Sequence, residues 1–247
     1  DAVQLAGDYD YISLPSSMTD DEITGSAPRS ICLWAKIDDW SDGDALFEYG
    51  GTAAGDQRFG LFLGAKESYL DVQTGVDNAT IVINSTTIDW DYWHHYCVTY
   101  DGLDVEFYFD AQLAAQWAPA SALNTGTGGH MHLGVDSYET HAMDGSLDEV
   151  YVYRSALSTA AIAVLYGSVT EIPTASPAPT SHWFEGTLVA YYPFEDGNAT
   201  DAFGTKDGDA YREGQSVSSL PVSVGKDGKD AVQLAGDYDY ISLPSSM

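Results

Sequence analysis

Two acidic loop sets offer the hard oxygen ligands that calcium takes from carboxylates and carbonyls. One joins Asp56 and Gln57, which follow FEYGGTAAG, with Asp136 and Glu139, which follow HLG. The other gathers Glu195, Asp196, Asn198 and Asp201 in FEDGNATD, with Asp148 of the LDEV strand as a further ligand. The chain carries 38 acidic against 9 basic residues, a formal charge of −29, so an acidic loop is also what an ordinary solvated loop of this protein looks like. Cation binding and plain solvation both stay open for either set. The same charge repels phosphate backbones and anionic headgroups, which argues against nucleic acid or membrane as partners. No apolar run approaches bilayer length.

Other constellations carry weaker chemistry. Asp104, Glu106 and Asp110 in DVEFYFD share one face of a strand, as the paired carboxylates of a glycosidase would. An outward polar strand face explains them equally well. His130 and His132 lie two apart, with His141 nearby, but no cysteine or other ligand at zinc spacing accompanies them. Cys32 and Cys97 both sit in strand patterns, where they suit either a cross-strand disulfide or two buried thiols. Sequons at Asn78, Asn84 and Asn198 favour N-glycosylation and an extracellular or cell-surface setting.

The elements that must position these residues are short strands. ICLWAKI, ALFEYG, RFGLFLG, YLDVQTG, TIVIN, WHHYCVTYD, VEFYFD, MHLGV and LDEVYVYR are short strand-like runs separated by Gly, Asp and Asn turns. Turn signals about every ten residues predict an all-β sandwich or jelly roll. One helix is expected over Ser158 to Leu165, capped by Ser158. The Pro/Ser/Thr stretch from Val169 to Ser181 reads as a linker.

The stretch DAVQLAGDYDYISLPSSM, Asp1 to Met18, returns unchanged at Asp230 to Met247, a period of 229 residues. It reads as two short strands around a turn. Two copies competing for one place imply two successive domains, and the chain is expected to be a window on a longer polymer. On this reading 1–168 are most of one domain lacking its opening strands, 169–181 the linker, and 182–247 the opening strands of the next. Neighbouring copies then associate head to tail in a fibre.

YWHHYCVTYDGLDVEFYFDAQLAAQ, HMHLGVD and MDGSLDEVYVYRSALSTAAIAVLY resemble the laminin-G-like jelly rolls of the concanavalin-like superfamily. LVAYYPFEDGNATDAFG looks like the opening of the same domain type. The resemblance implies a two-sheet antiparallel jelly roll, calcium loops at the Asp56/Asp136 rim, and a structural calcium site at the FEDGNATD loop. The pair Cys32 and Cys97 is similar to the paired cysteines of pentraxins, which implies a disulfide. The expected role is a non-enzymatic structural or adhesive repeat. Its rival is a calcium-dependent, lectin-like module that binds glycans, with Trp40, Trp117 and Tyr138 as candidate aromatics; a glycoside hydrolase is the weaker alternative.

Overall fold

The computed structural model describes residues 2–7, 9–18, 23–50, 57–64, 69–75, 77–82, 90, 92–127, 129–168, 188–194, 199–203, 206–212, 215–218, 220 and 222–223. Burying the apolar faces of the strands against each other produces two antiparallel eight-stranded sheets. The first runs β10 (Gln112–Trp117), β9 (Val105–Phe109), β8 (His94–Tyr100), β3 (Arg29–Asp39), β12 (Asp144–Tyr153), β1 (Ala2–Ala6) and β16 (Val222–Ser223). β13 (Leu188–Tyr192) shares one edge of β12 with β1. The second runs β15 (Gln215–Val217), β14 (Asp209–Arg212), β2 (Tyr11–Leu14), β11 (Met131–Leu133), β4 (Ala45–Tyr49), β5 (Phe59–Leu63), β6 (Tyr69–Gln73) and β7 (Asn78–Val82). The all-β sandwich expected from the strand pattern is the observed architecture.

The core between the sheets is built from the alternate apolar residues, among them Leu5, Ile12, Leu33, Phe47, Phe59, Val98, Phe107, Leu133 and Leu147. A second cluster lies on the outer side of the first sheet, where Ile162 and Leu165 of helix α1 (Thr159–Ser168) cover Tyr108, Tyr151 and Tyr153. The Ala161 N–H donates to Ser158 Oγ at 3.3 Å, so the expected cap is in place, and the helix runs on to Ser168. Cys32 and Cys97 lie directly opposite each other in β3 and β8 beneath this helix and form a disulfide. Arg29 is fully buried without a carboxylate partner among the described residues. Its guanidinium donates to the carbonyls of Ile23 and Gly25 and to Tyr49, between the rings of Phe59 and Tyr100.

The repeated stretch is not a hairpin. β1 belongs to the first sheet and β2 to the second, and the chain crosses between them through Gly7 (φ +75°) and Tyr9 (φ +65°). A Cβ at Gly7 would come to 3.1 Å from that of Asp144, so the crossing needs glycine for space as well as for its backbone. The segment expected to open the next unit along closes this sandwich instead: β13 pairs with β12, β14 with β2 and β16 with β1, all within one chain. A covalently tethered donor has a high effective concentration at its own edges. The linker at 169–181 and the second copy at 230–247 lie outside the described residues.

Candidate functional site

The outer face of the second sheet holds a polar row in direct register. Core residues on both sides of Ser13, His132 and Glu48 along their own strands, and Val72 beside Gln73, turn these side chains away from the core. Cross-strand pairing then aligns Asp209, Ser13, His132, Glu48, Gly60, Gln73 and Asn78 over seven neighbouring strands. Beside the row, Tyr11 stacks on Tyr211 at 4.5 Å between ring centroids and sits 5.3 Å from His132. The Tyr11 hydroxyl donates to Glu139 Oε1 at 3.1 Å, tying the face to the loop after β11.

That loop, 134–143, is organised by Asp136. One carboxylate oxygen accepts the backbone N–H groups of Thr140 (2.7 Å) and His141 (3.2 Å); the other accepts the Thr140 hydroxyl (3.0 Å) and faces His141 Nδ1 at 2.9 Å. Burial alone would raise the pKa of Asp136, but the hydrogen bonds from His141 and Thr140 outweigh it and hold the group below the ordinary carboxylate value. Glu139 adopts φ +56° at the loop's turn. The result is an outward display: Tyr138 is 54% exposed, and Glu139, Thr140 and His141 are exposed beside it.

Under the loop lies Glu48, 1% exposed. Its Oε2 accepts the Ser137 N–H at 2.6 Å, while Oε1 accepts no hydrogen bond and has the Arg58 guanidinium at 3.6 Å. Arg58 also donates to Gln73 at 2.8 Å. Burial pushes the Glu48 carboxyl up, with Ser137 and Arg58 offsetting part of the rise. Burial likewise lowers the His132 pKa. Asp44, 7% exposed, is pushed up to about 6 by burial and by the neighbouring carboxylates of Asp39, Asp144 and Asp136, against the pull of His141.

The expected metal sets are placed as follows. Gln57 gives its carbonyl to Gly126 N–H at 2.9 Å, and Asp56 lies outside the described residues. In the second set, Asp201 is 5% exposed and accepts the N–H groups of Tyr191, Phe203 and Lys206 at 3.0, 3.0 and 3.1 Å. Asp148 is buried on β12 opposite Trp34, and Glu195, Asp196 and Asn198 lie outside the described residues. Among the described residues no three His, Cys, Asp or Glu side chains form a group that could hold a metal ion. Of the described carboxylates of both sets, Asp136, Glu139 and Asp201 accept hydrogen bonds from protein donors.

Two of the three histidines bond backbone carbonyls of the fold. His130 Nδ1 donates to the Leu14 carbonyl at 3.0 Å and His132 Nδ1 to that of Asp136 at 3.4 Å. The strand carboxylates do not converge either. Glu106 accepts the Tyr108 hydroxyl, Asp104 the Gln116 amide, and Asp110 the His95 N–H, with His94 Nδ1 at 2.8 Å. Asp110 and Ala111 both have positive φ, forming the tight β9–β10 turn that this carboxylate clamps to the start of β8. Of the candidate aromatics, Trp40 and Trp117 pack against the core and Tyr138 stands clear of it. Asn78 is the first residue of the edge strand β7; Asn84 lies outside the described residues. Sequence reasoning missed Glu48, Tyr11, Tyr211 and Asp44. The lone acid in ALFEYG is the one signal that could have exposed Glu48.

Among solved structures, a Bacteroides ovatus protein described as carbohydrate binding superposes with a TM-score of 0.60 at 17% identity, over 84% of this chain and 56% of that one. This chain therefore spans just over half of that protein's length. A heptameric SAP-like pentraxin from Limulus polyphemus gives 0.52 at 14% identity, over 67% of this chain and 81% of that one. The CBM40 of a Ruminococcus gnavus sialidase, bound to α2,3 sialyllactose, gives 0.51 at 13% identity, over 67% and 96%. At these identities the likeness is one of fold. No curated protein sequence matches the chain. The sequence model described as the Concanavalin A-like lectin/glucanases superfamily matches residues 6–163, and the chain belongs to that superfamily.

Proposed function

We propose that this domain is an extracellular, non-catalytic glycan-binding module whose ligand is a neutral sugar seated beside Tyr138. The observation that carries this reading is the exposed Tyr138 on a loop fixed by Asp136, next to the outer face of the second sheet. An aromatic face packs against the C–H face of a sugar ring, and nearby carboxylate, hydroxyl and imidazole groups bond its hydroxyls. Glu139, Thr140 and His141 supply those groups. Two of the similar structures are described as binding carbohydrate, which supports the ligand class.

Charge supports the neutral sugar. Glu48, Glu139, Asp136 and Asp44 surround the loop, the near cation Arg58 is already engaged by Glu48 and Gln73, and the whole chain carries −29. A sialic or uronic acid would enter against that field. A panel of immobilised neutral and acidic oligosaccharides tests the reading, with Tyr138→Ala in parallel. Binding to neutral sugars that falls at least tenfold in the variant supports it; no binding to any sugar overturns it.

Calcium belongs to the proposal as a stabilising ion of the acidic loops, drawing on Asp56, Glu195 and Asp196 as well as the described carboxylates. A second reading, a structural repeat in a fibre of neighbouring copies, is favoured by the duplicated eighteen residues. Electron microscopy of the native material tests it: filaments support it and dispersed particles oppose it.

A further inference from the structure

Tyr138 has a second tyrosine on its rim. The crossing from β1 to β2 is fastened to the loop 134–143 at two points: Ala6 pairs with Asp144 at the loop's base, and the Tyr11 hydroxyl donates to Glu139, the residue after Tyr138. Tyr9 lies between these ties, within about 7 Å along the backbone of both Gly7 and Tyr11, and it is 50% exposed. The buried Asp10 closes the crossing on itself, its Oδ2 accepting the Ala6 N–H at 3.3 Å. Tyr9 is thus held out by a turn that a buried carboxylate fastens, as Tyr138 is held out by the loop around Asp136. The Tyr9 backbone is strained as well. Its φ of +65° suits glycine or asparagine and is rarely taken by a bulky aromatic residue. Such conformations collect at ligand clamps, where the surrounding structure enforces them. Packing does not explain the ring, because half of the residue faces solvent.

We propose that Tyr9 is a second aromatic subsite and that the ligand is a neutral oligosaccharide whose chain runs from Tyr138 past Glu139 to Tyr9; this rests on the reading that Tyr138 seats a neutral sugar. Each ring packs against the C–H face of one sugar unit. Once one unit is seated, docking of the next contact is intramolecular, so a chain that reaches both rings binds about tenfold or more tightly than a single sugar. Tyr138 then sets which sugar is held, and Tyr9 sets the length of chain that is preferred.

The test is calorimetric titration of the full chain with glucose, galactose, mannose and xylose and with their linear oligomers of increasing length. Wild-type affinity should rise about tenfold or more with length and then level off. Tyr9→Ala and Tyr9→Gly should bring the long oligomers down to the single-sugar affinity, Tyr9→Phe should keep the rise, and Tyr138→Ala should weaken every length. Tyr9→Gly relieves the left-handed strain and should melt no lower than wild type, so a loss of binding in it is not a loss of fold. A wild-type affinity that is flat with length, or a rise that survives in both Tyr9→Ala and Tyr9→Gly, overturns the second subsite and leaves the Tyr138 reading standing. Wild-type chain that binds none of these sugars overturns both.

Discussion

Asp136 and His141 close a loop on themselves: the carboxylate of the first lies 2.9 Å from Nδ1 of the second and also takes the second's backbone N–H. All four contacts of the carboxylate come from Thr140 and His141, just beyond Tyr138, which makes Asp136 a positioning residue for Tyr138. Asp136→Asn should cost about 1–3 kcal/mol at pH 7 and weaken sugar binding without touching the sugar. The pKa of Asp136 is held below 3.8 in the fold, so its stabilisation is present above that value and is lost as the pH falls through the folded pKa. Denaturant unfolding of wild type and variant should therefore differ at pH 7 and converge in strong acid.

Asp44 works in the opposite direction. Its carboxyl is raised from 3.8 to about 6, so the native state holds a proton that the unfolded chain has lost. Stability from this group is full below 3.8 and declines as the pH rises through about 6, by on the order of 3 kcal/mol. Asp44→Asn should raise the melting temperature at pH 7.5 and flatten the dependence between pH 4 and 6. An unchanged slope would remove Asp44 as its source.

The strands could be read from the chain because their apolar runs and turn signals are local, as is the Ser158 helix cap; the Cys32–Cys97 disulfide rests also on the resemblance to pentraxins, since the strand patterns alone leave two buried thiols open. The candidate face could not be read so directly. Tyr11, His132 and Glu48 come together only through the pairing of β2, β11 and β4, which lie far apart in sequence. The acidic loops are ambiguous in sequence for another reason: a carboxylate that caps backbone N–H groups, as Asp201 does, carries the same letters as one that binds a cation. Asp44 drew no notice, since nothing in DGDALF marks its burial against three other carboxylates.

Reducing the Cys32–Cys97 bond should destabilise the domain by about 4 kcal/mol, given the 65-residue separation that it closes. Chemical denaturation with and without reductant measures this. A shift below about 1 kcal/mol would mean that the reduced, unfolded chain stays compact around this strand pair.

Calcium, if bound as proposed, stabilises by mass action. Asp201→Ala will destabilise in any buffer because three backbone N–H groups lose their acceptor, so the variant alone decides nothing. The deciding comparison is the wild-type melting temperature in millimolar calcium against excess chelator. A rise with calcium supports the acidic loops as ion sites, and coincident melts count against them.

The location of the sugar is tested most directly by an NMR titration of the isotopically labelled domain with the neutral oligosaccharide that binds best in the panel. Saturable shifts are expected for the amides of 136–142 and for the side chains of Tyr11, His132 and Tyr138, with the Trp40 and Trp117 indole signals unmoved. Shifts confined to the Trp40 and Trp117 region, with 136–142 silent under saturating sugar, would contradict this placement.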